Sequence, residues 1–333
     1  MKHRSICLLL LLVFLLSGCL PTTQRKLSDT HFAMDTYVQI DSYGKDEQQL
    51  QTAMNDALKR FQTVAIQTDR FNNGGAGSLW ALNNTTDPVK TAPHLTAIFD
   101  FLSTHTDPEV DISLGKVSDL WNAGRETLSV PSDEELRLAL HCCSSADFQW
   151  NSNAQTARRT DIHTELDLGC IAKGYGVDVM TNALKEHQDV EAALINAGGN
   201  LRVIGAKADG KPWTIGVQHP RNNDAIIGTI ALNPDQAIAT SGDYQRYFES
   251  NGQRWHHLLS PQSGKPVYYH YSVTVVAPTA TEADYYSTLF FLLTDDKILA
   301  KLADHPELGV IVANTDKDIW VSDNLKSVWS PIK

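Results

Sequence analysis

The sequence predicts an α+β fold, with mixed sheets and packed helices. Two observations predict it. Apolar residues recur at helical spacing in well-separated segments, the clearest being Leu50, Met54, Ala57, Leu58, Phe61, Val64 and Ala65. From Ala192 onward the texture changes to short apolar runs divided by turn residues. Strands and helices do not alternate as regular βαβ units, so a parallel α/β scaffold is not expected.

In chain order, Lys2, His3 and Arg4 give a basic start, and Leu8 to Leu16 is an apolar run too short to span a membrane stably. Leu16-Ser17-Gly18-Cys19 follows. This order is a secretion signal with a small-residue cleavage site. A cysteine directly after Leu-Ser-Gly resembles the lipobox of bacterial lipoproteins, in which that thiol is acylated; the alternative is an ordinary signal with an incidental cysteine. The expected organisation is a signal at 1–18, a tether at 19–29 and one folded domain at 30–333, lipid-anchored on the periplasmic side. No later segment is apolar enough to cross a bilayer.

Tyr37 to Ile40 alternates as a strand. The helix around Leu50–Ala65 follows, then a loop at Asn72–Gly77 and a turn at Asp107-Pro108. Ser132 and Glu135 form a capping box opening a helix over Leu136–Leu140. Leu166 to Lys185 reads as a strand end, a Gly turn and a helix. Strands are expected at Ala193–Asn196, Thr214–Val217, Ala225–Leu232, Ala237–Thr240, Trp255–Leu259, Ser272–Ala277 and Val310–Ala313, with a helix at Thr281–Leu293 and a short C-terminal strand.

The chain has 333 residues and a net charge of −11. That argues against a nucleic-acid partner, which needs a basic face. The five cysteines are Cys7, Cys19, Cys142, Cys143 and Cys170, and they lack zinc spacing. A Cys170 bridge to Cys142 or Cys143 is open, with separate thiols the plainer reading.

Five segments have the Gly, Asp, Ser and Thr usage of a phosphate site. They are Asp111 to Gly115 with Asp119-Leu120-Trp121, Leu166 to Gly176, Asn196 to Asn200, Ala239 to Tyr244 followed by His256 to Gly264, and Pro278 to Thr288. In the second, a strand ends at Asp167, turns on Gly169 and enters a helix carrying Lys173. A helix N-terminus holds phosphate through free N–H groups and a partial positive charge, and Lys173 adds a full one. A plain Gly turn with a surface lysine fits the local residues equally. His256 and His257 fall on opposite strand faces, so one of them can face the Gly loops as a base. Asp284 and Thr288, four apart on a helix, share a face and suit a hard cation such as Mg²⁺. Thr281 with Asp284, or Thr279 with Glu282, would instead cap that helix; if the second pair is the cap, Asp284 is free.

Together these segments resemble the FAD:protein FMN transferases, the ApbE-type flavin transferases. The match runs from about Met34 to Leu293. It rests on Met34-x-Thr36, Asp111-x-x-x-Gly115 with Leu120-Trp121, Asp167-Leu-Gly-x-x-x-Lys173-Gly174-Tyr175, Gly198-Gly199, Thr240-Ser241-Gly242-Asp243-Tyr244, His257-x-x-x-Pro261-x-x-Gly264 and Ala283-Asp284-x-x-x-Thr288. The resemblance implies a flavin cleft between subdomains, lined by Met34, Ser78, Glu109, Val110, Asp111, Asp167, Lys173, Thr240, Ser241, His257 and Leu259. It implies Mg²⁺ held by Asp284, Thr288 and the Cys170 carbonyl. FMN would pass from FAD to a Ser or Thr hydroxyl of an acceptor protein, AMP would leave, and His257 would be the base, with Asp284 or Asp243 the alternative base. Acceptors in such families are subunits of periplasm-facing redox complexes, such as sodium-pumping quinone reductases. An Mg²⁺-dependent FAD pyrophosphatase and a non-catalytic flavin-binding lipoprotein would use a similar site. Asp35 stands where the family usually has Gly, Cys170 where it has a small residue, and Ser260 where it has Asp.

Overall fold

The computed structural model describes residues 24–121, 129–207, 209–315 and 318–332. The signal segment and Cys19 lie outside them. Strands and helices are numbered along the chain. The principal sheet has eight strands in the order β1 (Arg25–Ala33), β2 (Thr36–Gly44), β6 (Ala192–Ala197), β7 (Asn200–Ile204), β10 (Ala237–Gly242), β13 (His270–Ala277), β14 (Gly309–Asn314) and β15 (Ile319–Val321). Three small sheets accompany it: β3 (Val89–Lys90), β5 (Thr156–Arg159) and β4 (Phe148–Asn151); β16 (Trp329–Pro331), β9 (Asn222–Leu232) and β8 (Trp213–His219); and β11 (Tyr247–Ser250) with β12 (Gln253–His256). Named strands pair antiparallel, and Leu114 and Glu165 form an isolated parallel bridge. The helices are α1 (Glu47–Thr68), α2 (Leu79–Asn83), α3 (Pro93–Thr104), α4 (Gly115–Trp121), α5 (Asp133–His141), α6 (Ala172–Lys185), α7 (Ala280–Leu292) and α8 (Asp295–Asp304). This is the α+β arrangement the sequence predicts.

Both faces of the principal sheet are covered, and the strand period of two divides its side chains between them. Ala237, Ala239, Val273, Val275, Val310 and Val312 face a core built from α1, α6 and α7. Ile238, Val276, Ile311 and Ala313 face Trp213, Ile230 and Leu232 of the β8–β9 sheet. Helix α7 is buried on nearly every side, so it carries no amphipathic stripe. A third apolar cluster joins α2 and α3 to Leu168, Ile171 and Ala172. The start of α6 therefore stands where this cluster meets the main core.

Two boundaries differ from expectation. The tether predicted to reach residue 29 ends earlier, because β1 starts at Arg25. It is an edge strand exposed for most of its length, so it lacks apolar alternation. The strand expected over Trp255–Leu259 ends at His256; the His257 N–H turns instead to the Arg246 carbonyl, 3.2 Å away. The Ser132–Glu135 capping box is formed with both of its hydrogen bonds.

Candidate functional site

Helices α6 and α7 meet at their N-terminal ends. Gly174 makes this approach possible: a Cβ there would lie 2.2 Å from the Ala280 carbonyl oxygen and 2.6 Å from Asp284 Cβ. Each helix caps the other. Asp178 of α6 accepts the backbone N–H groups of Ala280 and Thr281 at 2.9 and 2.8 Å. Asp284 of α7 accepts the Gly174 N–H at 2.8 Å through Oδ2. Helix α7 also has its own capping box, Thr279 with Glu282, both halves formed. The Thr281 hydroxyl donates to Asp178 rather than capping with Asp284. Of the two cap pairs open in the sequence, the structure takes the one that leaves Asp284 outside it.

The second oxygen of Asp284, Oδ1, faces Lys173 Nζ at 3.7 Å. Asp284 is 4% exposed, and burial raises its carboxyl above the usual range against the pull of Lys173, the Gly174 N–H, Arg246 and Asn200. One turn on, the Thr288 hydroxyl lies 3.3 Å from Ser241 Oγ, which also meets Ser287 Oγ at 2.9 Å. Cys170 precedes α6 and feels both Asp284 and Asp167, and its thiol is pushed up to about 12, chiefly by burial. Cys142, Cys143 and Cys170 are free thiols. Among the described residues no three His, Cys, Asp or Glu side chains gather as a metal cluster. The expected ligands are of another kind: the Asp284 carboxylate, the Thr288 hydroxyl and the Cys170 main-chain carbonyl.

The wall before α6 is pinned by a residue that sequence reading missed. Arg70, just past α1 and buried, bonds Glu165 and Asp119 at 2.5 Å each and lies 3.3 Å from Asp167. Asp167 also accepts the Gly169 N–H at 2.8 Å, which shapes the turn into α6. Asp111 accepts the Ser113 N–H at 2.8 Å, and the Ile112 carbonyl accepts the Asp167 N–H at 2.7 Å, so the two Asp segments run side by side. The signal for Arg70 was faint: a lone arginine after a helix, with carboxylate partners 49 to 97 residues away in sequence.

The two histidines have different surroundings, His256 at the end of β12 and His257 just beyond it. His256 is buried against Tyr268 and Phe291, and burial lowers its pKa to about 4. Its Nδ1 accepts the Leu258 N–H, so the neutral ring keeps its proton on Nε2. His257 is half-buried on the other side, 3.2 Å from the Arg246 carbonyl through Nδ1. A carbonyl only accepts, so Nδ1 donates and the Nε2 lone pair is left free. Burial first, then Arg246, His256 and Lys173, hold its pKa well below the usual histidine range. Asp243, the alternative base, is buried and paired bidentately with Arg221 at 2.7 and 2.6 Å, which removes it from that role.

The other predicted flavin contacts spread around this crossing. Met34 sits half-buried in the β1–β2 turn, where it and Asp35 both have positive φ, 51° and 57°. A two-residue turn with both φ positive usually carries Gly or Asn, and Asp tolerates it. Gly198 follows β6 with φ 58° and packs on Thr36 of this hairpin. Thr240 pairs with Thr274 at 2.8 Å and Leu259 is buried beside α4. Val110 packs against the main core, and Glu109 is paired with Lys297 at 3.2 Å. Ser78 is fully buried and caps α2 by accepting the Ala81 N–H, and its hydroxyl donates to the Gly75 carbonyl.

The fold and this crossing define an α+β protein in which a helix start, Lys173 and the buried Asp284 carboxylate meet, with the His257 ring within electrostatic reach of Lys173. A family model described as "ApbE family" matches residues 34–312. The chain belongs to the ApbE family. It is 35% identical over 228 residues to the "FAD:protein FMN transferase" of Klebsiella pneumoniae strain 342, covering 68% of this chain and 70% of that one. To the protein of the same name from Escherichia coli K12 it is 28% identical over 293 residues, 85% and 81% of the two chains. The crystal structure of the ApbE protein from Thermotoga maritima superposes with a TM-score of 0.82 at 27% identity, over 91% of this chain and 99% of that one. The flavin transferase ApbE from Vibrio cholerae gives 0.77 at 25% identity, over 92% and 99%.

Proposed function

We propose that this chain is an FAD:protein FMN transferase that moves the FMN half of FAD onto a Ser or Thr hydroxyl of an acceptor protein. The observation that carries the reading is the α6–α7 crossing, where the α6 N-terminus, Lys173, Asp284, Ser241 and Thr288 meet. The names of the family relatives support it. The acceptor oxygen attacks the FMN-side phosphorus, the bond from that phosphorus to the bridging oxygen breaks, and AMP leaves. His257 takes the hydroxyl proton on Nε2. Lys173 and the α6 N-terminus hold the pyrophosphate in place. A bound pyrophosphate also offsets the two cations that depress the His257 pKa, which makes the ring a stronger base when substrate is present.

The donor set fits Mg²⁺, which prefers hard oxygens. Asp284 Oδ1, the Thr288 hydroxyl and the Cys170 carbonyl would hold it, with Ser241 alongside. When bound, the ion neutralises pyrophosphate charge. We further read Cys19 as a lipid anchor that keeps the enzyme at the periplasmic membrane face, near acceptor subunits of redox complexes. Incubation with FAD, Mg²⁺ and an acceptor should leave covalent flavin fluorescence on the acceptor in a denaturing gel, and chelation should abolish it. His257→Ala should lose roughly 10²–10⁴-fold in transfer while FAD binding is retained. FMN and AMP release without any labelled acceptor would sink the transferase reading in favour of a hydrolase.

A further inference from the structure

Among the described residues, every arginine but one donates through its guanidinium to a carboxylate or a backbone carbonyl, as Arg221 does to Asp243 and Arg158 to Thr86. The exception is Arg246, which is exposed. Its backbone sets it beside the proposed base. Strands β11 and β12 pair with Tyr247 opposite His256, so the next position in that register puts Arg246 opposite His257. The His257 N–H bond to the Arg246 carbonyl, 3.2 Å, extends the ladder by that pair, and the same carbonyl takes the ring Nδ1–H. Residues directly opposite in an antiparallel pair project to one side, with Cβ atoms roughly 4.5–5.5 Å apart. Phe248 and Trp255, two positions along, share that side and pack with Leu114 and Leu259. Arg246 therefore projects toward the wall that carries the expected flavin contacts. Two cations bracket this place. Lys173 stands 3.7 Å from Asp284 and weighs on it more than Arg246 does, while on His257 Arg246 weighs more than Lys173. Asp284 does not neutralise Arg246, since its oxygens already face the Gly174 N–H and Lys173. An open guanidinium fork matches two oxygens of a phosphate.

We propose that Arg246 is a second cationic contact to the FAD pyrophosphate, gripping the FMN-side phosphoryl group from the His257 side while Lys173 holds it from the α6 side. The proposal rests on the transferase reading. In that step the bond from acceptor oxygen to phosphorus forms and the bond to the bridging oxygen breaks. AMP leaves with that electron pair, and the hydroxyl proton passes to His257. Arg246 makes no covalent bond; it stabilises the charge on the phosphoryl oxygens. The test compares Arg246→Gln and Arg246→Lys with wild type in three ways: thermal unfolding, titration with FAD and with riboflavin (which has no phosphate), and Mg²⁺-dependent AMP release from FAD across pH. Both variants should melt with wild type, because an exposed, unpaired side chain is replaced. Arg246→Gln should bind FAD about 10-fold more weakly, bind riboflavin equally, and lose roughly 10²–10³-fold in AMP release at saturating FAD. Arg246→Lys should regain the binding but little of the rate, since an ammonium lacks the fork. Removing the cation also lifts the His257 pKa, with Lys173 and His256 the remaining groups that disfavour the imidazolium. The acid limb of the kcat/KM profile should therefore move to higher pH in Arg246→Gln and return in Arg246→Lys. Wild-type FAD affinity and rate in Arg246→Gln, or an equal loss for FAD and riboflavin, overturns the contact and leaves the transferase reading standing. Absence of FAD binding by wild type overturns the transferase reading and the contact with it.

Discussion

Asp178 and Asp284 occupy matching places in two helices that cap one another, yet their surroundings differ. Asp178 is saturated. Its oxygens take the Ala280 and Thr281 N–H groups, the Thr281 hydroxyl and Arg202 at 2.5 Å. Asp284 has one short backbone bond, the Asn200 side chain and a lysine at 3.7 Å, is deeply buried, and has its carboxyl raised by that burial. A buried carboxylate with spare lone pairs destabilises the chain that carries it unless a cation completes it. The same capping geometry thus serves architecture at one end of the crossing and, in the proposed reaction, chemistry at the other. The adjacent histidines repeat the contrast. His256 accepts a backbone N–H within the core, while His257 donates to a backbone carbonyl and keeps Nε2 free.

Removing the saturated partner should have the largest effect on folding. Asp178→Ala strands Arg202 and two helix N–H groups, so urea unfolding should show a loss of about 3–5 kcal/mol. A loss under about 1 kcal/mol would mean that the crossing is not held by Asp178, and the comparison would fail on its structural side.

The histidine contrast gives a pH test. Folding lowers the His256 pKa from 6.5 to about 4, so the unfolded chain takes up this proton first. Its contribution is complete above pH 6.5, is lost as pH falls from 6.5 to 4, and changes no further below. The drop corresponds to about 3 kcal/mol. Denaturant unfolding at pH 7 and pH 4 should show His256→Phe losing less stability than wild type by about that amount. Identical losses would place His256 in contact with water.

Lys173→Ala sharpens the comparison at its open end. A charge-assisted contact to the pyrophosphate is worth roughly 1.5–3 kcal/mol, so FAD affinity should fall by about 10- to 100-fold while the melting temperature barely moves. Unchanged FAD affinity would leave Lys173 a surface lysine beside a structural turn.

The elements were legible wherever one local rule acted. Helical spacing marked α1, strand alternation marked β2, and the Ser132–Glu135 and Thr279–Glu282 boxes marked helix starts. The Lys173, Asp284 and Thr288 grouping was also legible, because family motifs and helix periodicity point to one place. What stayed hidden depends on partners distant in sequence. Asp178 reads as an ordinary helix residue until Ala280 arrives 102 residues later. Arg70 gains meaning only once Asp119, Glu165 and Asp167 surround it. Strand β1 is an exposed edge defined by its pairing with β2 rather than by its own pattern. Sequence likewise does not show that the Ser78 hydroxyl caps α2.

The central claim is that Asp284 is kept under-coordinated for the reaction. The most direct measurement is Mg²⁺-dependent AMP release from FAD by Asp284→Asn, with Asp178→Asn as its partner and thermal unfolding of both recorded without metal. Asp284→Asn keeps a hydrogen-bonding side chain at Gly174 but removes the charge. We expect it to melt within a few degrees of wild type and to lose at least ~100-fold in metal-dependent turnover, whereas Asp178→Asn should lose stability first and keep turnover in whatever fraction remains folded. Full Mg²⁺-dependent turnover by a folded Asp284→Asn chain would contradict the account.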